Sequence, residues 1–244
     1  MKIFAVDTSA RSASVALVEN DVIRGEYFIN TMLTHSETLM PMINSLLNST
    51  KITLKDIDCF AVNCGPGSFT GLRIGIAAVK GMAFALDKPC AAVSTLESMA
   101  YNIQSDNTIV CAVMDARCNQ VYNALFDVSG KQPVRMCEDR ALQIDELAAE
   151  LKKIDSRIVF VGDGAGLCHD RLSSEITNVE LASENVRFQR ASSAAFCAKK
   201  LIDNNKTVAA SKLMPVYLRL PQAQRELIAK RKINDNGDEH TKGV

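Results

Sequence analysis

Surplus charge is missing from this chain: 28 Lys and Arg balance 28 Asp and Glu over 244 residues. No global field therefore favours a polyanion, and any contact with RNA has to be local or lent by a partner. Long apolar runs are missing too. The longest lies within Ile74 to Leu86 and is broken by Lys80, so no membrane helix is expected. Residues 1–20 show no charged start ahead of an apolar block; no signal peptide is visible, and a cytoplasmic location is the expectation. Histidine is scarce. His35, His169 and His240 stand far apart with no HExxH or HxxxH pair, and no protein-bound catalytic metal is expected. The eight cysteines form no CxxC pair and lie mostly in apolar runs such as Val110-Cys111-Ala112-Val113. That is the pattern of small core hydrophobes in a reducing compartment. Walker, dinucleotide and GxSxG spacings are absent.

What is present is enough for a full core, with 47% of residues hydrophobic. Lys2 to Asp7, Ser12 to Glu19 and Val22 to Phe28 alternate with a period of two and predict a three-strand antiparallel meander. A helix is predicted from near Thr34 or Ser36, with Leu39, Met42, Ile43, Leu46 and Leu47 on one face and Pro41 in its first turn. Ile57 to Asn63 reads as a buried strand. A glycine turn then leads into a helix over about 71–86 that is apolar nearly all round. After Gln104-Ser105-Asp106-Asn107 the meander returns as Ile109 to Asp115, Gln120 to Val128 and Val134 to Cys137. Helices over Ile144 to Lys152 and Ser192 to Asn204 flank a strand at Arg157 to Val161. Two halves of this kind predict two similar α/β lobes, 1–104 and 105–214. Residues 215–233 are expected to return to the first lobe as a segment and helix, with a disordered tail over 234–244.

Three small-residue turns carry the candidate chemistry. Asp7-Thr8-Ser9 ends the first strand, Gly65-Pro66-Gly67 opens the apolar helix, and Gly162-Asp163-Gly164 recurs in the second half. A carboxylate, two hydroxyls and close-approaching backbone suit a magnesium–phosphate ligand. Ser, Thr and Gly are equally the residues of plain structural turns. Both readings stay open here.

Taken in order, Asp7-Thr8-Ser9, His35-Ser36-Glu37-Thr38-Leu39-Met40-Pro41, the block from Gly65 to Gly75, Met114-Asp115-Ala116-Arg117 with Val121-Tyr122, and Pro215-Val216-Tyr217-Leu218-Arg219 resemble the TsaB family, also called YeaZ. The resemblance covers almost the whole chain. It implies the two-lobed fold of actin, sugar kinases and the Hsp70 ATPase, built on ribonuclease H-like repeats. It also implies a part in placing threonylcarbamoyl on the tRNA adenosine beside the anticodon. In that family the paralogue TsaD performs the transfer, and the TsaB member is a scaffold and activator that works with TsaD and the ATPase TsaE. Where TsaD carries an HxxxH metal pair, this chain has Thr95 and Met99, poor ligands for iron or zinc.

The expectation is therefore a pseudoenzyme subunit with no metal and no cofactor, the three turns being a degenerate nucleotide-type pocket in which weak adenine-nucleotide binding stays open. Its partner surface is expected on His35, Leu39, Met42, Ile43, Leu46 and Leu47 of one helix and Leu72, Ile76, Val79, Lys80 and Ala83 of the other. TsaD and a second copy of the chain would compete for it, with tRNA met only through the complex. The rival is an active enzyme, either a phosphotransferase using Asp7 for magnesium or a metallopeptidase. A third reading, direct RNA binding, rests on Arg219, Arg225, Arg231 and Lys232.

Overall fold

The computed structural model describes residues 1–219, so the expected segment and helix beyond residue 219, with Arg225, Arg231 and Lys232, and the tail over 234–244 lie outside the described residues. Strands β1 (Lys2–Asp7), β2 (Ala13–Glu19), β3 (Val22–Ile29), β4 (Cys59–Gly65) and β5 (Cys90–Ser94) form one sheet in the order β3-β2-β1-β4-β5. The meander is antiparallel, whereas β4 and β5 run parallel to β1. Between them come helices α1 (His35–Thr50) and α2 (Phe69–Ala85), and α3 (Thr95–Ala100) follows. The second half repeats the plan. β6 (Thr108–Arg117) pairs antiparallel with β7 (Gln120–Asp127) and parallel with β10 (Arg157–Val161), and β8 (Val134–Arg135), β9 (Arg140–Gln143) and β11 (Val179–Leu181) complete the sheet. Helices α4 (Ile144–Leu151), α5 (Ala165–Leu172), α6 (Glu184–Arg187) and α7 (Ala191–Asp203) accompany it.

Period-two alternation explains how the first sheet is covered. Phe4, Val6, Val15, Leu17, Phe60 and Val62 point to one face and pack with α1 and α2. Ala5, Ala16, Ala61 and Ala91 point to the other, where the small residues Ala191, Ala194, Ala195 and Ala198 let α7 lie close. Each large side chain buried in this way contributes about 1.5–3 kcal/mol.

This placement corrects the lobe boundaries. The chain is back on the first sheet from Ala191, ahead of residue 215, and α3 lies between the lobes: Leu96, Met99 and Ala100 pack with Val110, Ala112 and Phe126 of the second sheet, while Ser98 accepts from the Asn63 amide of β4 at 3.0 Å. α7 covers the first sheet because the alanine face there accepts a small-residue helix, and α7 offers one.

Local signals fix α1. Thr34 caps it in a capping box with Glu37, whose carboxylate accepts from the Thr34 N–H at 2.9 Å. Pro41 sits inside this helix rather than in its first turn. Pro41 is exposed, so water can satisfy the carbonyl one turn back that loses its donor.

Candidate functional site

A cleft of about 810 Å³ opens between the lobes at the C-terminal ends of β1 and β6. The Asp7-Thr8-Ser9 turn and the glycine turn are brought together on the first-lobe side. They meet each other, however, instead of framing an empty cradle. A Cβ on Gly71 would collide with the Thr8 carbonyl, one on Gly67 with the Ser9 carbonyl, and one on Gly75 with the Thr8 hydroxyl. The Thr8 Oγ1 donates to the Gly71 carbonyl at 2.8 Å, and the Ser68 N–H donates to the Ser9 carbonyl at 2.6 Å. Gly65, at φ +132°, takes its space against the Val216 carbonyl, and Gly162, at φ +106°, against the Val113 carbonyl. These glycines are required by close approach of the chain to itself.

Asp7 is sealed. It is fully buried, accepts from the Ser9 N–H at 3.0 Å and from the Ser9 hydroxyl, and is bonded by the Asn63 amide. Burial raises its carboxyl above the ordinary carboxylate range, and the Asn63 and Ser9 bonds only partly oppose that. Asp163 faces the same cleft from the second lobe, open to solvent but walled by both lobes; that enclosure pushes its carboxyl up to about 6, with Asp115 and Asp7 adding repulsion. Asp115 is the counterpart of Asp7 near the end of β6. It ion-pairs with Arg117 at 3.3 Å and accepts from that residue's N–H at 2.7 Å. Among the described residues no three His, Cys, Asp or Glu side chains come together as a ligand set for a metal. Thr95 and Met99 are buried between the lobes.

Asp163 carries a pH consequence. Its folded pKa of about 6 lies above the ordinary unfolded value near 4, so between these limits the folded chain holds the proton more tightly. Its contribution is favourable at low pH and is lost as pH rises through 6. Asp163→Asn is expected to raise Tm near pH 7 and to leave Tm near pH 4 unchanged, in melts followed by circular dichroism.

The structure places the expected partner residues elsewhere. Leu39, Met42, Ile43, Leu46, Leu72, Ile76, Val79 and Ala83 are buried in the first lobe's own core, so this part of the expected interface is corrected. Leu47 and Lys80 are half-buried; half-buried His35 lines the cleft and donates from Nε2 to the Ala10 carbonyl at 2.7 Å. A helix apolar all round does not reveal from sequence which half turns inward. The half left outside on α2 is Ala77, Gly81, Phe84 and Ala85, flanked by half-buried Ile74 and Ala78, with Phe84 73% exposed. Met40 adds an exposed apolar side chain on α1. The cleft walls also include Arg11, Leu33, Phe69, Asp115, Arg117 and Tyr217, none of them expected as site residues, and Arg219, named only for the direct-RNA reading. The repeat of the β1 meander in β6 was the available signal for Asp115.

Two sheets of the same strand plan, facing a cleft at their strand ends, define the two-lobed architecture of the actin-like ATPase fold. A family model described as TsaD, tRNA N6-adenosine threonylcarbamoyltransferase, matches residues 30–227. The chain is 30% identical to the tRNA threonylcarbamoyladenosine biosynthesis protein TsaB of Bacillus subtilis (strain 168), over 95% of this chain and 100% of that protein. The protein of the same description from Escherichia coli (strain K12) is 33% identical over 94% and 100%. Among solved structures, YeaZ from Pseudomonas aeruginosa shares 28% identity with a TM-score of 0.73, covering 89% of this chain and 99% of that one. This chain belongs to the TsaB (YeaZ) family, whose paralogue is TsaD.

Proposed function

We propose that this chain is a non-catalytic accessory subunit in the synthesis of threonylcarbamoyladenosine in tRNA, required with TsaD and TsaE for the transfer step and acting in the cytoplasm. The observation that carries this reading is the contrast between its two surfaces. Its cleft turns are filled by the chain's own backbone, and Asp7, the carboxylate a phosphotransferase would need for magnesium, is sealed by Asn63 and Ser9. The outer face of α2, by contrast, is left apolar and small-grained, with Arg73 and Lys80 its only charges. Ala77 and Gly81 would let a partner helix approach closely, and Phe84 would anchor it. TsaD is the partner proposed for this face, and a second copy of the chain takes it when TsaD is absent. tRNA is met through the complex, and adenine nucleotide is at most a weak ligand of the cleft.

The test is threonylcarbamoyl transfer to tRNA in a reconstituted mixture, with this chain present or omitted and TsaD and TsaE held constant. The expected result is turnover that needs the chain, with none from the chain alone. Turnover by the chain alone would overturn the reading and favour an active enzyme.

A further inference from the structure

The C-terminal end of the described chain crosses the cleft from one lobe to the other. Leu213 is sunk in the first-lobe core. The Val216 N–H then donates to the Cys64 carbonyl at 2.7 Å, and the Val216 carbonyl fills the space beside Gly65 at the end of β4. Tyr217 stacks on Phe69, with centroids 4.6 Å apart and planes 26° apart. Its hydroxyl accepts from Arg73 Nε at 3.0 Å, and the Arg73 guanidinium lies 3.7 Å over the Phe69 ring. Arg219 finally reaches the second lobe, where its Nη1 donates to the Ala116 carbonyl at 2.8 Å, one residue past Asp115.

A few consecutive residues therefore touch the end of β4, the start of α2 and the end of β6, all at the border of the cleft. Residues 101–107 and 182–190, which also run between the sheets, line no part of this cleft. A two-lobed protein keeps one arrangement of its lobes only if contacts made in that arrangement are lost in others. Here the segment supplies such contacts across the mouth of the cleft. We propose that Val216–Arg219 is an interlobe clamp that holds the two lobes in this arrangement, and that loosening Tyr217 or Arg219 lets them move apart.

The clamp also bears on α2. Phe69 and Arg73 belong to the first turns of the helix whose outer face is described above, so the clamp packs directly on the start of that helix. Opening and helix position are coupled through this stack.

The test uses the chain alone. Spin labels at Asn48→Cys in α1 and Ser174→Cys in the second lobe, both exposed positions, are placed in a Cys118→Ser background so that the exposed native thiol is silent. Labelled protein is diluted with unlabelled chain so that only distances within one molecule are read. With the clamp intact, one narrow interlobe distance is expected from pulsed electron–electron resonance. Arg219→Ala and Tyr217→Ala are each expected to shift the distribution to longer distances and broaden it, while Arg171→Ala, which removes a surface ion pair within the second lobe, leaves it unchanged. Distributions for Arg219→Ala and Tyr217→Ala that superimpose on that of the intact chain would overturn the clamp. Because TsaD, TsaE and tRNA are all absent, failure of the accessory-subunit reading cannot produce or hide either result.

Discussion

Gly81→Arg is expected to abolish association through α2 while leaving the folded chain at least as stable as before. A side chain at Gly81 meets nothing within 4 Å, and the residue lies inside α2 on its exposed face. Replacing a helical glycine by arginine gains about 0.5–1 kcal/mol of helix stability. In a packed helix–helix contact the same arginine is a bulky, desolvated charge, and a penalty of about 3 kcal/mol or more lowers affinity by at least about 100-fold. Light scattering of the chain alone and with TsaD, beside a thermal melt, reads both halves of this expectation. Leu46→Asp, the obvious choice from helix periodicity, does not test the surface. Leu46 is fully buried beneath α1, so a carboxylate there disrupts the first-lobe core itself. Unchanged pairing by folded Gly81→Arg would remove α2 from the partner surface.

Gly71→Ala is expected to cost about 3 kcal/mol or more, lowering Tm by about 10 °C in a chain of this size. Its Cβ would be driven into the Thr8 carbonyl, and His35 stands at 3.2 Å on the other side, so neither neighbour can withdraw without moving β1 or α1. Gly166→Ala supplies the contrast. It adds a Cβ to α5 with nothing within 4 Å and is expected to stabilise slightly. A glycine kept for a phosphate cradle would behave differently, with Gly71→Ala sparing Tm and lowering nucleotide affinity. Thermal melts with and without Mg–ATP separate the two.

The strand plan was legible because alternation with a period of two survives in each meander, and Asp7-Thr8-Ser9 and the glycine block were legible as turns because Gly, Pro, Ser and Thr have few other uses at strand ends. Three things were hidden. The partners of Gly67, Gly71 and Gly75 are carbonyl and hydroxyl oxygens of residues about sixty positions away in sequence, and composition says nothing of such approaches. The packing of α7 on the first sheet depends on alanines from four strands lining one face, a pattern visible only once β1, β2, β4 and β5 are side by side. On α2 the apolar residues run all round, so Leu72, Ile76, Val79 and Ala83 could not be told from Ala77, Gly81 and Phe84 until the sheet beneath them was placed.

The outer surface of α2, not the cleft, is proposed to serve the tRNA modification. The most direct measurement is the rate of threonylcarbamoyl transfer in the reconstituted TsaD and TsaE mixture, with Gly81→Arg and Asp7→Asn assayed side by side as folded proteins. Gly81→Arg is expected to remove activity and Asp7→Asn to retain it. Full activity from Gly81→Arg together with loss of activity in folded Asp7→Asn would contradict this and return the chemistry to the cleft.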